Sequence, residues 1–310
     1  MFDPLISLLP IYALLALGAL AIRVKLISPE GLPHLSRFVL VICMPVIVAS
    51  AVMRAGDLSA FNWWFIGGYA FAALIVLGIG SFVMVRVFGL KGPLGAMMAM
   101  GMCSSNTIFL GYPIGRVLFP EQADALFAWI ITAENLVVIP AAIVLSEALS
   151  GEKGQGIAAS LRQTLGQMVR SPVLIGLVAG LLIAGFGIPI TGPVETTRGM
   201  IAAATPVLSL VFVGGTVATA QWREGGAAVM AVALGKLLVH PLVTVAVLLM
   251  IPGVSQEIAL AGLVFAAMPM IAIFPILAAR HGGAAMASSA MLLTTLLGAI
   301  TVSAVAVLIP

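Results

Sequence analysis

Ten apolar runs of about twenty residues follow one another along the chain, separated by short polar or Gly/Pro-rich stretches. A helix needs about 20 apolar residues to cross a bilayer. Because lipid offers no hydrogen-bond partners to an irregular backbone, the runs predict an all-α polytopic membrane protein. The composition agrees, with 62% hydrophobic and only 8% charged residues. The ten predicted transmembrane helices are residues 5–22, 35–53, 62–85, 93–118, 122–146, 171–189, 199–220, 226–250, 257–279 and 284–309.

One sizeable polar stretch, residues 150–170, divides the spans into two sets of five, within residues 1–149 and 171–310. With ten spans both termini share one side of the membrane. The loops on that side carry three Lys or Arg residues, whereas the opposite loops carry ten. Because cytoplasmic loops are enriched in Lys and Arg, we expect residues 150–170 to form a cytoplasmic linker. Both termini are then outside a cell (inner) membrane.

The two sets of spans show signs of a repeat. Sliding the sequence on itself by 161–162 residues superposes Pro113 on Pro275 and Pro45 on Pro206, each in the middle of an apolar run. A five-helix unit has an odd number of crossings, so a second copy must be inverted in the membrane. We therefore predict an inverted repeat of five plus five helices.

The fourth run is unusually polar for a span. Between Gly101 and Pro113 it contains two serines, Asn106 and Thr107, and unpaired polar groups in hydrocarbon cost several kcal/mol each. Pro113 also removes a backbone donor. The pattern favours a broken helix that lines a polar cavity, as in many secondary transporters. The alternative is an intact helix whose Ser and Thr side chains join it to neighbours.

The ninth run has two prolines six residues apart, Pro269 and Pro275, which favour a second break. The fourth and ninth helices would then cross as broken helices related by the repeat. Half-helix N-termini carry partial positive charge, so such a crossing suits an anion such as a carboxylate. A kinked ninth helix is the alternative. The candidate substrate-binding residues are Asn106, Thr107, Tyr112, Pro113, Met268, Pro269 and Pro275.

The fifth run contains an ionisable residue, Glu134, between Thr132 and Asn135. An ionisable group inside a span costs roughly 2.5–3.5 kcal/mol, so it should face protein or water. Glu134 is the first candidate to couple transport to H⁺ or Na⁺, with Ser105, Thr132 and Asn135 as further coupling-site candidates. A structural hydrogen bond between helices is the alternative role.

The eighth run carries Lys236 and His240, four residues apart on one helix face. Either side chain could neutralise a substrate carboxylate or pair with Glu134. The alternatives are a packed, hydrogen-bonded histidine and a lysine that reaches towards the membrane surface.

Other functional classes find little support in the sequence. Cys43 and Cys103 fall in apolar runs and belong to no Cys/His cluster, so we expect no metal centre and no disulfide framework. The sequence contains no evident pair of nucleophile and base of the kind that an intramembrane enzyme would need. We expect no cofactor other than a coupling Na⁺ or H⁺, and no nucleic-acid partner. A channel or a non-transporting sensor remains an alternative to a carrier.

The order of spans, residues 105–113 (SNTIFLGYP) and Glu134–Asn135 together resemble the auxin efflux carrier family, in particular its bacterial permeases for malonate and similar organic acids. This resemblance implies a fold related to bile-acid sodium symporters. It also implies an elevator-like secondary active transporter of a small organic anion, dimeric through a scaffold of spans 1, 2, 6 and 7. Spans 3–5 and 8–10 would form the moving transport domain.

One position departs from that family. Plant members place an asparagine beside the proline in both crossing helices, whereas Met268 stands at the second position here. Coordination by two asparagines is therefore not expected, nor is auxin itself as the substrate. A sodium-coupled symporter of a bulkier organic anion is the alternative function, with Ser105, Asn106, Thr132 and Glu134 as ion ligands.

Overall fold

The computed structural model describes residues 3–55, 61–151, 169–222 and 225–309, together with isolated positions between 156 and 166. Most of the predicted linker 150–170 thus lies outside the described residues. The described chain is helical, and its extended pairing is limited to one isolated bridge. Its α-helices are α1 Asp3–Arg23, α2 Leu32–Phe38, α3 Met44–Ala55, α4 Trp63–Phe82, α5 Gly92–Cys103, α6 Tyr112–Leu118, α7 Ala123–Ala133, α8 Ile139–Ala148, α9 Pro172–Gly185, α10 Gly192–Thr219, α11 Ala227–Leu234, α12 His240–Leu249, α13 Gln256–Ala266, α14 Phe274–Ala279 and α15 Ala284–Ala306.

Seven continuous helical segments are long and apolar enough to cross a membrane, counted over the described residues. The predicted spans four, six and nine do not reach that length as single helices. Spans four and nine are interrupted, whereas α9 ends at Gly185 and is followed by Gly187 with φ of 61°. A glycine in this left-handed conformation is a common helix terminator. The seven spans are Leu5–Arg23, Pro29–Met53, Trp63–Val87, Ala123–Ala148, Gly192–Thr219, Ala227–Leu249 and Ala284–Ala306.

Four of the prolines inside the spans are accommodated by widened helical turns. A proline lacks the N–H that bonds four residues back, and its ring clashes with that carbonyl. In four places a five-residue π-helical segment ends two residues before a proline, so that the backbone continues as a helix instead of breaking. Segments of this type frequently occur at functional sites. The four pairs are Val39–Cys43 with Pro45, Thr107–Gly111 with Pro113, Glu134–Val138 with Pro140, and Gly235–Val239 with Pro241.

The chain divides into two compact units that interleave in sequence. Unit 1 comprises Met1–Asn62, Thr107–Trp129 and Val169–Thr219, and unit 2 comprises Trp63–Asn106, Ile130–Met168 and Ala220–Pro310.

Unit 1 is built from two pairs of closely packed helices, α1 with α10 and α3 with α9. Glycines allow the close approach. A Cβ on Gly18 would lie 2.3 Å from the carbonyl oxygen of Val211, and one on Gly180 would lie 2.8 Å from that of Ala49. Small residues at such contacts are typical of helix packing in membranes, where backbones approach closely.

Unit 2 packs α5 against α4, α8 and α14, and α12 against α4 and α13. Buried Met, Ala and Val side chains form its core. Two glycines lie against the interrupted segments. A Cβ on Gly101 would lie 2.7 Å from the ring of Phe274, and one on Gly298 would lie 2.7 Å from the ring of Pro269. Both breaks are therefore enclosed by closely packed helices of the same unit.

Candidate functional site

The fourth predicted span is interrupted at residues 104–106. Helix α5 ends at Cys103, and Ser104 adopts an extended backbone with φ of −110° and ψ of 131°. Helical structure resumes at Thr107. The interruption lies within the polar stretch between Gly101 and Pro113, but seven residues before Pro113, whose missing N–H is accommodated by the preceding π-helical segment.

The ninth predicted span is interrupted between Ala266 and Phe274, the end of α13 and the start of α14. The two interruptions pair with each other in antiparallel orientation through a bridge between Ser105 and Met270. The Asn106 N–H donates to the Pro269 carbonyl at 2.7 Å, and the Ile271 N–H donates to the Ser104 carbonyl at 3.2 Å. The backbone N–H and C=O groups that have no partner within their own helices are thus hydrogen-bonded across a short two-stranded contact.

Glu134 stabilises this contact from the fifth span. Its side chain is fully buried, and its Oε1 accepts a hydrogen bond from the Ser105 N–H at 2.7 Å. The π-helical segment Glu134–Val138 places the residue opposite the break. The structural role considered for Glu134 is therefore present, and it includes a direct bond to the interrupted backbone.

Lys236 reaches the same point from the π-helical segment Gly235–Val239 of the eighth span. It is fully buried, so its charge does not reach the membrane surface. The Nζ atom donates to Ser105 Oγ at 2.7 Å and to the Ala266 carbonyl at 2.9 Å. It also lies 2.9 Å from His240 Nδ1. Glu134 and Lys236 interact electrostatically, and a buried charge is stabilised by a nearby charge of the opposite sign.

His240 completes the cluster. A lysine ammonium has three donors and no acceptor, so we assign Nδ1 of His240 as the acceptor and its proton to Nε2. His240 Nε2 and Thr244 Oγ1 are buried and have no hydrogen-bond partner among the described residues. The two residues are four apart in sequence, on one face of α12. The Tyr69 ring packs edge-on against the His240 ring, at 5.9 Å between centroids.

Four predicted residues of unit 2 surround the break less directly. Met268 is fully buried within the ninth-span interruption, and Pro275 lies in the first turn of α14. Thr132 is buried two residues before the π-helical segment that begins at Glu134. Asn135 is half-buried, and its amide nitrogen donates to the Ile131 carbonyl at 2.8 Å, within its own helix.

The sequence profile of the membrane transport protein family (Mem_trans) matches residues 4–306, nearly the whole chain. The chain belongs to this family, the auxin efflux carriers. The protein is therefore a multi-pass membrane transporter, in agreement with its seven span-length helices. None of the curated proteins matches the chain.

Three predicted substrate-binding residues of this auxin efflux carrier family member belong to unit 1. Thr107 begins the π-helical segment that follows the break, and it is buried. Tyr112 donates its hydroxyl proton to Asp124 Oδ1 at 3.1 Å and packs edge-on against Phe127. Pro113 is buried in the first turn of α6. The boundary between the units falls between Asn106 and Thr107.

Sequence reasoning missed two contributors to the site of this transporter. The Tyr69 hydroxyl lies 3.3 Å from Ser105 Oγ, and a tyrosine inside an apolar span was the available signal. The sequence gives no indication of the role of Ala266, because this last residue of α13 contributes only its backbone carbonyl. Within the described residues no group of three or more His, Cys, Asp or Glu side chains is placed to hold a metal ion.

Proposed function

We propose that this transporter is a secondary active carrier of a small organic anion, a carboxylate, and that the anion binds beside the paired interruptions of unit 2. One observation carries the assignment. Two helices are interrupted at the same place and joined through Ser105 and Met270, with a buried lysine against the junction. Interrupted helices of this kind form the substrate and ion sites of many secondary transporters.

Asn106 is the proposed direct ligand for the anion. Its backbone N–H is bonded to the Pro269 carbonyl, so the paired break fixes the backbone from which its side chain extends. A primary amide offers two donors to a carboxylate. Lys236 contributes through its charge rather than by contact, because its three protons are directed at Ser105, Ala266 and His240. The proposed site takes its ligands from unit 2. The substrate-binding roles of Thr107, Tyr112 and Pro113 therefore stay predictions.

We further propose that Glu134 couples transport to a proton. With Glu134 ionised and Lys236 protonated, the buried cluster is neutral and attracts no anion. Protonation of Glu134 leaves the lysine charge uncompensated, which favours entry of a carboxylate. Anion and proton would then travel together. Among the residues that the structure describes, the ionisable side chains of Tyr69, Cys103 and His240 also interact electrostatically with Glu134 or Lys236.

Contacts between helices support the inverted repeat of ten crossings. Under that repeat span one corresponds to span six and span two to span seven. The observed pairing of α1 with α10 then corresponds to that of α9 with α3. Likewise, the contact of α4 with α5 corresponds to that of α12 with α13. The interrupted spans four and nine and the shorter α9 supply the three crossings beyond the seven span-length helices.

The division into units supports an elevator-like mechanism. Unit 1 contains the predicted spans one, two, six and seven together with residues 122–129 of span five, and unit 2 contains spans three, eight, nine and ten, the rest of span five and the first half of span four. The second half of span four clusters with unit 1 instead. We propose unit 1 as the scaffold and unit 2 as the domain that carries the anion.

We propose that both termini lie outside the cell membrane, because of the ten-to-three excess of Lys and Arg on the opposite side. A cysteine introduced at Gly154, in a background without Cys43 and Cys103, should then resist impermeant thiol reagents in intact cells and react after permeabilisation. Gly154 lies outside the described residues, so the test depends on the sequence alone. Labelling in intact cells would contradict the orientation.

Thermal stabilisation of the purified protein tests the proposed function. A ligand that binds only the native state stabilises it by RT ln(1 + [L]/Kd), about 2.7 kcal/mol at 100 times Kd. At least one member of a panel of mono- and dicarboxylates should raise the apparent Tm in a concentration-dependent manner. Its neutral amide analogue at equal concentration should not. A panel without any such carboxylate would contradict the proposal.

A further inference from the structure

The hydrogen-bond acceptors around Lys236 Nζ include oxygen atoms of the kind that bind a cation. Ala266 is the last residue of α13, where carbonyl groups have no following turn to bond and the helix dipole is negative. Ser105 contributes a hydroxyl oxygen from the other interruption, and the Glu134 carboxylate adds a negative charge nearby. Carbonyl oxygens at half-helix C-termini, with further oxygen ligands, hold the coupling cations of many secondary transporters.

The lysine ammonium fills this set of acceptors. Its distances to Ser105 Oγ, the Ala266 carbonyl and His240 Nδ1 are 2.7, 2.9 and 2.9 Å. Three protons are therefore matched to three acceptors. The acceptors come from both interruptions and from the eighth span, so one charge joins three separate parts of unit 2.

We propose that Lys236 is a tethered cation: its ammonium group occupies the place at which a free coupling cation would bind to Ser105 and Ala266, so that the transport cycle takes no Na⁺. This inference rests on the proposed carrier function. It goes beyond that function by naming the group, the lysine ammonium, that joins the two interruptions where other carriers bind an ion. The sodium-coupled alternative would require Ser105 to be available to Na⁺, whereas its hydroxyl already accepts from the lysine.

Removal of the side chain should create a vacant cation site. In Lys236→Ala the Ser105 and Ala266 oxygens lose their donor and a cavity remains, which n-propylammonium matches in length and charge. In choline chloride at fixed ionic strength we expect the apparent Tm to fall by about 5 °C. Replacing choline with n-propylammonium should restore most of that loss, and Na⁺ should restore part of it.

Lys236→Met is the matched control, because it keeps the length of the stem and leaves no room for an added amine. Its Tm should fall as well and should not respond to n-propylammonium or Na⁺. An alanine variant that responds to neither cation, or a methionine variant that responds equally, would overturn the inference.

Wild-type protein provides a test that does not depend on the folding of a variant. Its Tm should be the same in NaCl and in choline chloride at equal ionic strength, and stabilisation by Na⁺ would contradict a tethered cation. Neither experiment contains a carboxylate. Cation rescue without any stabilising carboxylate would thus reject the proposed substrate alone, whereas a stabilising carboxylate without cation rescue would reject the tethered cation alone.

Discussion

Glu134→Gln should abolish the ability of a pH gradient to drive accumulation of the anion while exchange of internal for external anion continues. The amide keeps an oxygen that can accept from the Ser105 N–H, a bond of 2.7 Å in the parent protein, and it mimics the protonated acid. With one proton per anion, a difference of one pH unit sustains about tenfold accumulation. In proteoliposomes with that gradient the variant should reach an accumulation ratio near one.

The control for this substitution is Glu257→Gln, which removes an exposed carboxylate from the first turn of α13 in the same unit. We expect parental accumulation from it. Because Lys236 loses a nearby opposite charge in Glu134→Gln, we also expect a lower Tm. A Glu134→Gln protein that accumulates the anion as well as the parent would contradict coupling and leave Glu134 with its structural bond alone.

Asn106→Ala should weaken anion binding by at least tenfold and reduce transport correspondingly. A hydrogen bond to a charged group contributes about 1.5–3 kcal/mol, and each 1.4 kcal/mol is a factor of ten in affinity. The backbone bond from Asn106 to the Pro269 carbonyl does not involve the side chain, so the break should persist. Titration of the stabilising carboxylate by Tm shift measures the change in affinity.

Gln256→Ala is the matched control for Asn106→Ala, because it removes an exposed primary amide from the same unit. We expect unchanged affinity from it. Size-exclusion chromatography and the Tm without ligand should show that Asn106→Ala is folded. An Asn106→Ala protein with parental affinity would remove Asn106 from the site.

The sequence predicts the spans better than it predicts their interruptions. Length and hydropathy place helical segments within a few residues at most positions, because lipid permits little else. The polar stretch from Gly101 to Pro113 predicts a break in the fourth span without fixing its position, and the break occurs at Ser104–Asn106. Proline alone does not decide between a widened turn and a break. The break depends on pairing with the segment around Met270. That pairing is a tertiary contact, which a local sequence pattern does not predict.

Several side chains of the candidate site could be singled out one by one from the sequence, but their assembly could not. Lys236 and His240 were recognisable as a pair because four residues separate them on one helix. Ser105 lies 29 residues from Glu134 and 131 from Lys236 along the chain. No local pattern indicates that these three converge. The contribution of Ala266 could not be predicted for a further reason, since only its backbone carbonyl takes part.

Counterflow in proteoliposomes tests most directly whether the paired interruptions of unit 2 form a carrier site for a carboxylate. Vesicles loaded with an unlabelled carboxylate that stabilises the protein should transiently concentrate the labelled compound from outside, with saturation, and Asn106→Ala should lose this uptake while Gln256→Ala keeps it. Equal saturable counterflow in Asn106→Ala, or labelled uptake that does not depend on the internal carboxylate, would contradict the assignment.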